Sequence, residues 1–226
     1  MNHREFITVR QLKEATRLLL EKSFSESFDN PSAVLLPGGN TPQGIYRELT
    51  TNPPRLGGKV HLGLTDERHV PWESPDSNYG QLAAMIRALG IAEDRVLKVR
   101  TNRPLDEAAA GYAADWKTFL DKGGRITLAL LGLGPDGHTA SLFSAADVQA
   151  GAGRLAQAIR RPMPPDRVSV TRDLLRRAER IVFLAAGPDK AAVVSRLAET
   201  PAEVTAGLAV DGCANVEIWY SPENLV

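Results

Sequence analysis

Apolar positions along this chain fall into two alternating kinds of stretch. One kind is short and barely interrupted: residues 33–36, 60–64, 96–99, 126–131, 167–170, 181–186 and 216–220 are rich in Val, Ile, Leu and Ala. Runs that do not alternate with polar residues suit strands buried on both faces, as in a parallel sheet. The other kind repeats at helical spacing. Across residues 11–28, Leu12, Ala15, Leu19 and Leu20 share one face of a helix. Further helices are predicted from Ser77 or Asn78 through Leu89, over 104–120 (opening with Asp106 and Glu107), over 173–178, and from Gly187 to about Ala198. Strands that alternate with helices predict an α/β fold with a doubly wound, mainly parallel sheet flanked by helices, Rossmann-like in plan.

The junctions between these elements carry the polar chemistry. After the strand 33–36 comes PGGNTP, residues 37–42, where Asn40 or Thr41 caps the next helix and Pro42 takes its first position. Gly38 and Gly39 let the backbone approach a ligand, and the helix start adds unpaired amides, a combination suited to phosphate. An ordinary strand-to-helix turn has the same letters, and the Gly-Lys-Ser/Thr of a nucleotide P-loop is missing. The strand 60–64 runs into TDERHVPWESPDSNY, a long polar loop. There Arg68 can grip a phosphate with two hydrogen bonds, and Asp66 or Glu67 can orient a neighbour or a substrate hydroxyl. Charged strand ends also occur without function. His69 reads as a surface residue and His61, inside an apolar strand, as structural.

The stretch LALLGLGPDGHTASLF, residues 128–143, reads as a buried strand, a glycine-rich turn and a short helix-like segment. Asp136 and His138 fall at the carboxyl end of the strand, where ligands of parallel sheets collect. Gly132, Gly134 and Gly137 satisfy G-x-G-x-x-G, a dinucleotide fingerprint. Against that reading, the motif lies mid-chain, and Leu155, Ala156 and Gln157 stand where an acid is needed roughly 20 residues on. Ser141 is expected on the helix, not at a strained turn, and no G-x-S-x-G elbow is present. In GPDK, Lys190 sits at a helix start against the dipole preference, which points to a phosphate, and Arg167 is a further cation for it.

Composition narrows the function classes. The 226 residues carry 27 basic and 27 acidic side chains, few aromatics and no long run of one charge. A nucleic-acid footprint is therefore not expected. No linker divides the chain, which favours one α/β domain over residues 1–226. Cys213 is the only cysteine, so no internal disulfide can form. The amino terminus lacks the apolar core of a signal peptide, and nothing approaches a membrane span of ~20 apolar residues. A soluble cytoplasmic protein is expected, with no membrane partner. His3, His61, His69 and His138 show no zinc-type spacing, so neither a metal nor a cofactor is expected.

In this order the motifs resemble those of the 6-phosphogluconolactonases, a branch of the superfamily shared with glucosamine-6-phosphate deaminases. PGGNTP is similar to that family's glycine-glycine-x-Thr-Pro loop, TDERHVPWESPDSNYGQL to its Asp-Glu-Arg-x-x-Pro segment ending in Ser-Asn, and LGLGPDGHTASLF to its signature. PPDRVSVT and FLAAGPDKA extend the likeness over residues 30 to 195. The resemblance implies hydrolysis of 6-phospho-D-glucono-1,5-lactone, the second step of the oxidative pentose phosphate pathway, by a monomer or weak homodimer. It implies His138 as general base, Asp66 and Asp136 near the chemistry, and Gly38, Gly39, Asn40, Thr41, Arg68, Arg167 and Lys190 around the phosphate and sugar. Thr139 to Phe143 favour the lactonase branch over a deaminase or a non-catalytic sugar-phosphate sensor. The chain departs from the pattern at Pro37 (usually serine), at Ser144 (usually proline) and over its carboxyl-terminal stretch.

Overall fold

The apolar runs form strands and the periodic stretches form helices. The computed structural model describes residues 1–26 and 30–224. In chain order the elements are β1 (Asn2–Glu5), α1 (Val9–Ser25), β2 (Ser32–Leu36), α2 (Asn40–Thr51), β3 (Val60–Leu64), β4 (Asp66–Arg68), α3 (Asn78–Ala88), β5 (Val96–Leu97) and α4 (Leu105–Asp121). They continue with β6 (Arg125–Gly132), α5 (Ala145–Ala150), β7 (Ala156–Ile159), β8 (Arg167–Val170), α6 (Arg172–Leu175), β9 (Ile181–Ala186), α7 (Ala191–Glu199), α8 (Thr205–Ala209) and β10 (Val216–Ser221). The predicted end of the first helix, Phe28, lies outside the described residues.

Seven strands form one parallel sheet in the order β1-β10-β9-β6-β2-β3-β5. From β2 the chain builds outward through β3 and β5, then returns to β6 and builds the other way through β9 and β10. The reversal therefore falls between β2 and β6. A crevice opens at the carboxyl ends of strands at such a point, and the loops leaving these two strands are PGGNT and GLGPDGH.

Both faces of the sheet are covered, which is why its strands do not alternate. Leu35, Leu131 and Phe183 face one layer with Trp116 and Tyr112 of α4 and Leu197 of α7. Val34, Leu130 and Val182 face the other with Leu12 and Phe24 of α1, Ile45 of α2 and Leu82 of α3. Each such side chain contributes about 1.5–3 kcal/mol relative to leaving it exposed.

A second sheet, β4-β8-β7, is antiparallel. It pairs Asp66 with Ser169, Glu67 with Val168 and Arg68 with Arg167. The charged DER tripeptide is thus a strand, where the sequence pattern predicts loop. Its fixture is Glu67, which is fully buried. One carboxylate oxygen accepts from the Arg68 and Asn78 amides at 2.7 Å each, the other from the Tyr79 amide at 2.7 Å and Ser77 Oγ at 3.1 Å. Glu67 so ties β4 to the first turn of α3, whose cap is Ser77.

Three further differences from the sequence expectations have physical reasons. β1 and β7 carry no apolar run that marks them; β1 is exposed along its length and is held by pairing with β10. Residues 139–142 are not helical but form a tight turn, with Thr139 bridged to Leu142 and Ala140 at φ 49°. Helix α2 starts at Asn40, two residues before the first position expected for Pro42, with Gly39 at φ 100° as its cap, and neither Asn40 nor Thr41 caps it. Pro42 still lies in the first turn, where its missing amide hydrogen loses no helical bond.

Candidate active site at the switch point

The loops that leave β2, β3 and β6 converge on a cleft of about 280 Å³. Gly38, Gly39, Asn40 and Thr41 line one side, Asp66 and Arg68 a second, His138 and Lys190 a third. Larger hollows of about 480 and 520 Å³ lie elsewhere and contain no histidine.

His138 is oriented by the other residue of its own turn. Its Nδ1 is 2.6 Å from Asp136 Oδ1, and the same oxygen accepts from the His138 amide at 3.2 Å. Partial burial works against the charge of Asp136, but these bonds outweigh it and hold the carboxyl below its usual range. Asp66, the other acid left open by the sequence, does not make that bond. The ring of His138 also leans on Phe143, centroid to centroid 4.7 Å, and the Arg161 guanidinium covers Phe143 at 3.6 Å.

The glycines of this turn serve the histidine. A Cβ on Gly134 would stand 2.2 Å from His138 Nδ1, and Gly137 has φ 89°. Gly134 leaves room for an imidazole, not for a pyrophosphate, so the formal G-x-G-x-x-G match has another explanation. The amides of Gly134 and Gly137 donate within the turn, to His138 O at 2.8 Å and Gly134 O at 3.0 Å. With the His138 amide also engaged, none of the three is open to a ligand without breaking the turn.

Asp66 is 8% exposed. Its Oδ2 accepts from Ser141 Oγ at 2.6 Å, and its Oδ1 from Thr65 Oγ1 and Asn78 Nδ2 at 3.3 Å each. Asn78 also donates to the Asp66 carbonyl at 2.8 Å. Sequence reasoning left Asn78 out of the site, although it lies in the Ser-Asn of the family-like segment. Its Oδ1 is buried without a hydrogen-bond partner among the described residues and packs on Gly38, where a Cβ would approach to 1.9 Å. Gln81 was missed as well; its Oε1 accepts the Gly39 amide at 3.0 Å.

Of the three cations, Arg68 and Lys190 line the cleft. Arg68 reaches the Asp76 carbonyl at 2.7 Å, and Arg167, its register partner, reaches the Pro165 carbonyl at 2.9 Å. Burial lowers the pKa of Arg167, and the charges of Arg68 and Arg161 lower it further. Arg167 sits beside Arg68 on the paired strand and does not line the cleft. Lys190, in the turn Pro188–Lys190, is also lowered by burial. Cys213 lies outside the cleft, its thiol pushed up to about 11 by burial. His61 packs on Phe119 and His69 bonds the Arg103 carbonyl, so both are structural.

Fold and site together define an α/β protein with a ligand cleft at the switch point of a parallel sheet. A family model described as glucosamine-6-phosphate isomerases/6-phosphogluconolactonase matches residues 8–216, and the chain belongs to that family. Human 6-phosphogluconolactonase is 33% identical over 181 residues, covering 76% of this chain and 70% of that protein. A probable 6-phosphogluconolactonase of Drosophila melanogaster is 34% identical over 192 residues, 81% of this chain and 77% of the relative. The crystal structure of 6-phosphogluconolactonase from Thermotoga maritima matches with TM-score 0.78 and 27% identity, over 97% of this chain and 98% of that one.

Proposed function

We propose that this protein hydrolyses 6-phospho-D-glucono-1,5-lactone to 6-phosphogluconate, the second step of the oxidative pentose phosphate pathway. The observation that carries this reading is the His138–Asp136 pair at 2.6 Å, facing a cleft whose other walls are a Gly-Gly loop and basic side chains. The Asp136 bond keeps the proton on His138 Nδ1 and leaves Nε2 basic. Nε2 takes a proton from a water molecule as its oxygen attacks the lactone carbonyl carbon. The tetrahedral intermediate then collapses, the bond from that carbon to the ring oxygen breaks, and the imidazolium returns the proton to the departing oxygen. A lactone is an activated ester, so this needs no covalent nucleophile, and general-base help contributes typically 10²–10⁴-fold.

The remaining residues hold the substrate. Gly38, Gly39, Asn40 and Thr41 receive the phosphate at the start of α2, and Arg68 and Lys190 neutralise it, with Arg167 beside Arg68. Asp66, in the same cleft as His138, takes a sugar hydroxyl and sets the carbonyl against the water. All these groups come from one chain. No helix among the described residues is long and apolar enough to cross a membrane, and the lone, half-buried Cys213 suits a reducing cytoplasm.

A deaminase acting on glucosamine 6-phosphate would use the same cleft. Parallel assays separate the two: acid release from the lactone is expected, with no ammonia from glucosamine 6-phosphate. Ammonia without lactone hydrolysis reverses the assignment. Binding of 6-phosphogluconate with neither turnover would instead mark a sugar-phosphate sensor.

A further inference from the structure

Asp66 is held by a residue that sequence reasoning placed on a helix. We propose that Ser141 is the positioning residue for Asp66, linking the turn that carries His138 to the acid on β4; the assignment rests on the lactonase reading. Ser141 is 1% exposed, so its hydroxyl is shielded from bulk water. Its Oγ lies 2.6 Å from Asp66 Oδ2, and among the described residues it is the one donor to that oxygen. Thr65 and Asn78 reach only Oδ1, both at the longer distance of 3.3 Å. Removing the Ser141 hydroxyl therefore frees Oδ2 and lets the carboxylate rotate.

The local backbone supports a selected placement. Ala140 is the one non-glycine residue with positive φ among the described residues, at 49°. Nothing in an alanine favours that conformation, and strained residues persist where the surrounding structure over-determines them. Here the Ser141 amide donates to Ser169 Oγ at 3.2 Å, and Ser169 Oγ donates to the Val170 carbonyl at 2.9 Å. The turn is thereby fastened to β8, the strand that pairs with β4 and so with Asp66 itself. A helical 139–143 would carry the Ser141 hydroxyl away from this contact.

The test is a double-mutant cycle in kcat/KM on the freshly prepared lactone, with spontaneous hydrolysis subtracted. Loss of a buried hydrogen bond to a carboxylate predicts that Ser141→Ala lowers kcat/KM about ten- to hundredfold. In an Asp66→Ala background the same change should cost less than twofold, because its target is gone. Ser141→Cys provides the reading without Asp66→Ala. A thiol is a weak donor of similar shape, so a positioning role predicts a loss close to that of Ser141→Ala, whereas a packing role predicts retained rate. Equal losses in both backgrounds, or a Ser141→Cys enzyme at wild-type rate, overturn the proposal. A wild type that fails on the lactone overturns the lactonase reading instead, and Ser141 with it.

Discussion

Replacing Asp136 by Asn tests the histidine pair without changing its shape. The bond between His138 Nδ1 and Asp136 Oδ1 is 2.6 Å long, yet the two side chains are 30% and 60% exposed. An ion pair so open to solvent contributes only about 0–1 kcal/mol to folding. For a chain of this size that is a Tm change of less than about 4 °C. The catalytic cost is larger. An amide cannot stabilise the imidazolium formed on proton transfer as a carboxylate does, and its NH₂ can approach Nδ1 and shift the ring proton to Nε2. The first effect removes about 1–2 kcal/mol, since charge-assisted bonds are roughly twice as strong as neutral ones. The second removes the base from part of the population. Together they predict a fall in kcat of about 10²–10³-fold with KM within about threefold, inside the range that general-base catalysis supplies. Because the Asp136 pKa lies below its usual value of 3.8, the wild-type carboxylate stays ionised throughout a neutral assay, and raising the pH will not rescue the variant. The assay is a pH-stat titration at saturating lactone, paired with a thermal melt. A kcat within threefold of wild type would refute the orienting role. A large fall in kcat accompanied by a collapsed Tm would show that the residue holds the turn together instead.

Other consequences concern the frame around the cleft. Glu67→Ala strands the Arg68, Asn78 and Tyr79 amides in a buried site and should cost about 3 kcal/mol, a fall in Tm of about 6–12 °C by calorimetry. A stability loss under about 1 kcal/mol would contradict its structural role. Gly38→Ala drives a Cβ to within 1.9 Å of Asn78 Oδ1 and should abolish measurable turnover, whereas near-normal kcat/KM would show that Asn78 can move at little cost. Burial lowers the His61 pKa below 6.5, so the folded state resists protonation there. The stability it contributes is complete above pH 6.5 and is lost as the pH falls below it. Denaturant midpoints at pH 7.5 and 5.5 should therefore drop more for wild type than for His61→Gln, and equal drops would remove His61 from the account.

The sheet was legible because β2, β3, β6 and β9 run between two covered faces and are apolar at nearly every buried position. The chemistry at the ends of β2 and β6 was legible too, since PGGNT and PDGH are polar, glycine-rich and abrupt. What escaped was held by tertiary contacts alone. Asp66, Glu67 and Arg68 have no strand pattern; β8 and the amides of α3 make them a strand. Ala140 carries no letter that announces a left-handed turn, so Thr139 to Phe143 kept the look of a helix. Asn78 was one of two equal choices for a helix cap; Ser77 takes that role and frees the Asn78 side chain to reach Asp66. Ser144, a departure from the family pattern, caps α5 through a reciprocal bond with Asp147, and a proline there could not donate its amide to Asp147 as Ser144 does.

The most direct test of the central claim compares wild type with His138→Ala on freshly made 6-phosphogluconolactone, with spontaneous hydrolysis subtracted at each concentration. Acid release well above background is expected for wild type, with a kcat lower by about 10²–10⁴-fold for the variant. Wild-type rates equal to background would contradict the activity, and a fully active His138→Ala enzyme would contradict the mechanism.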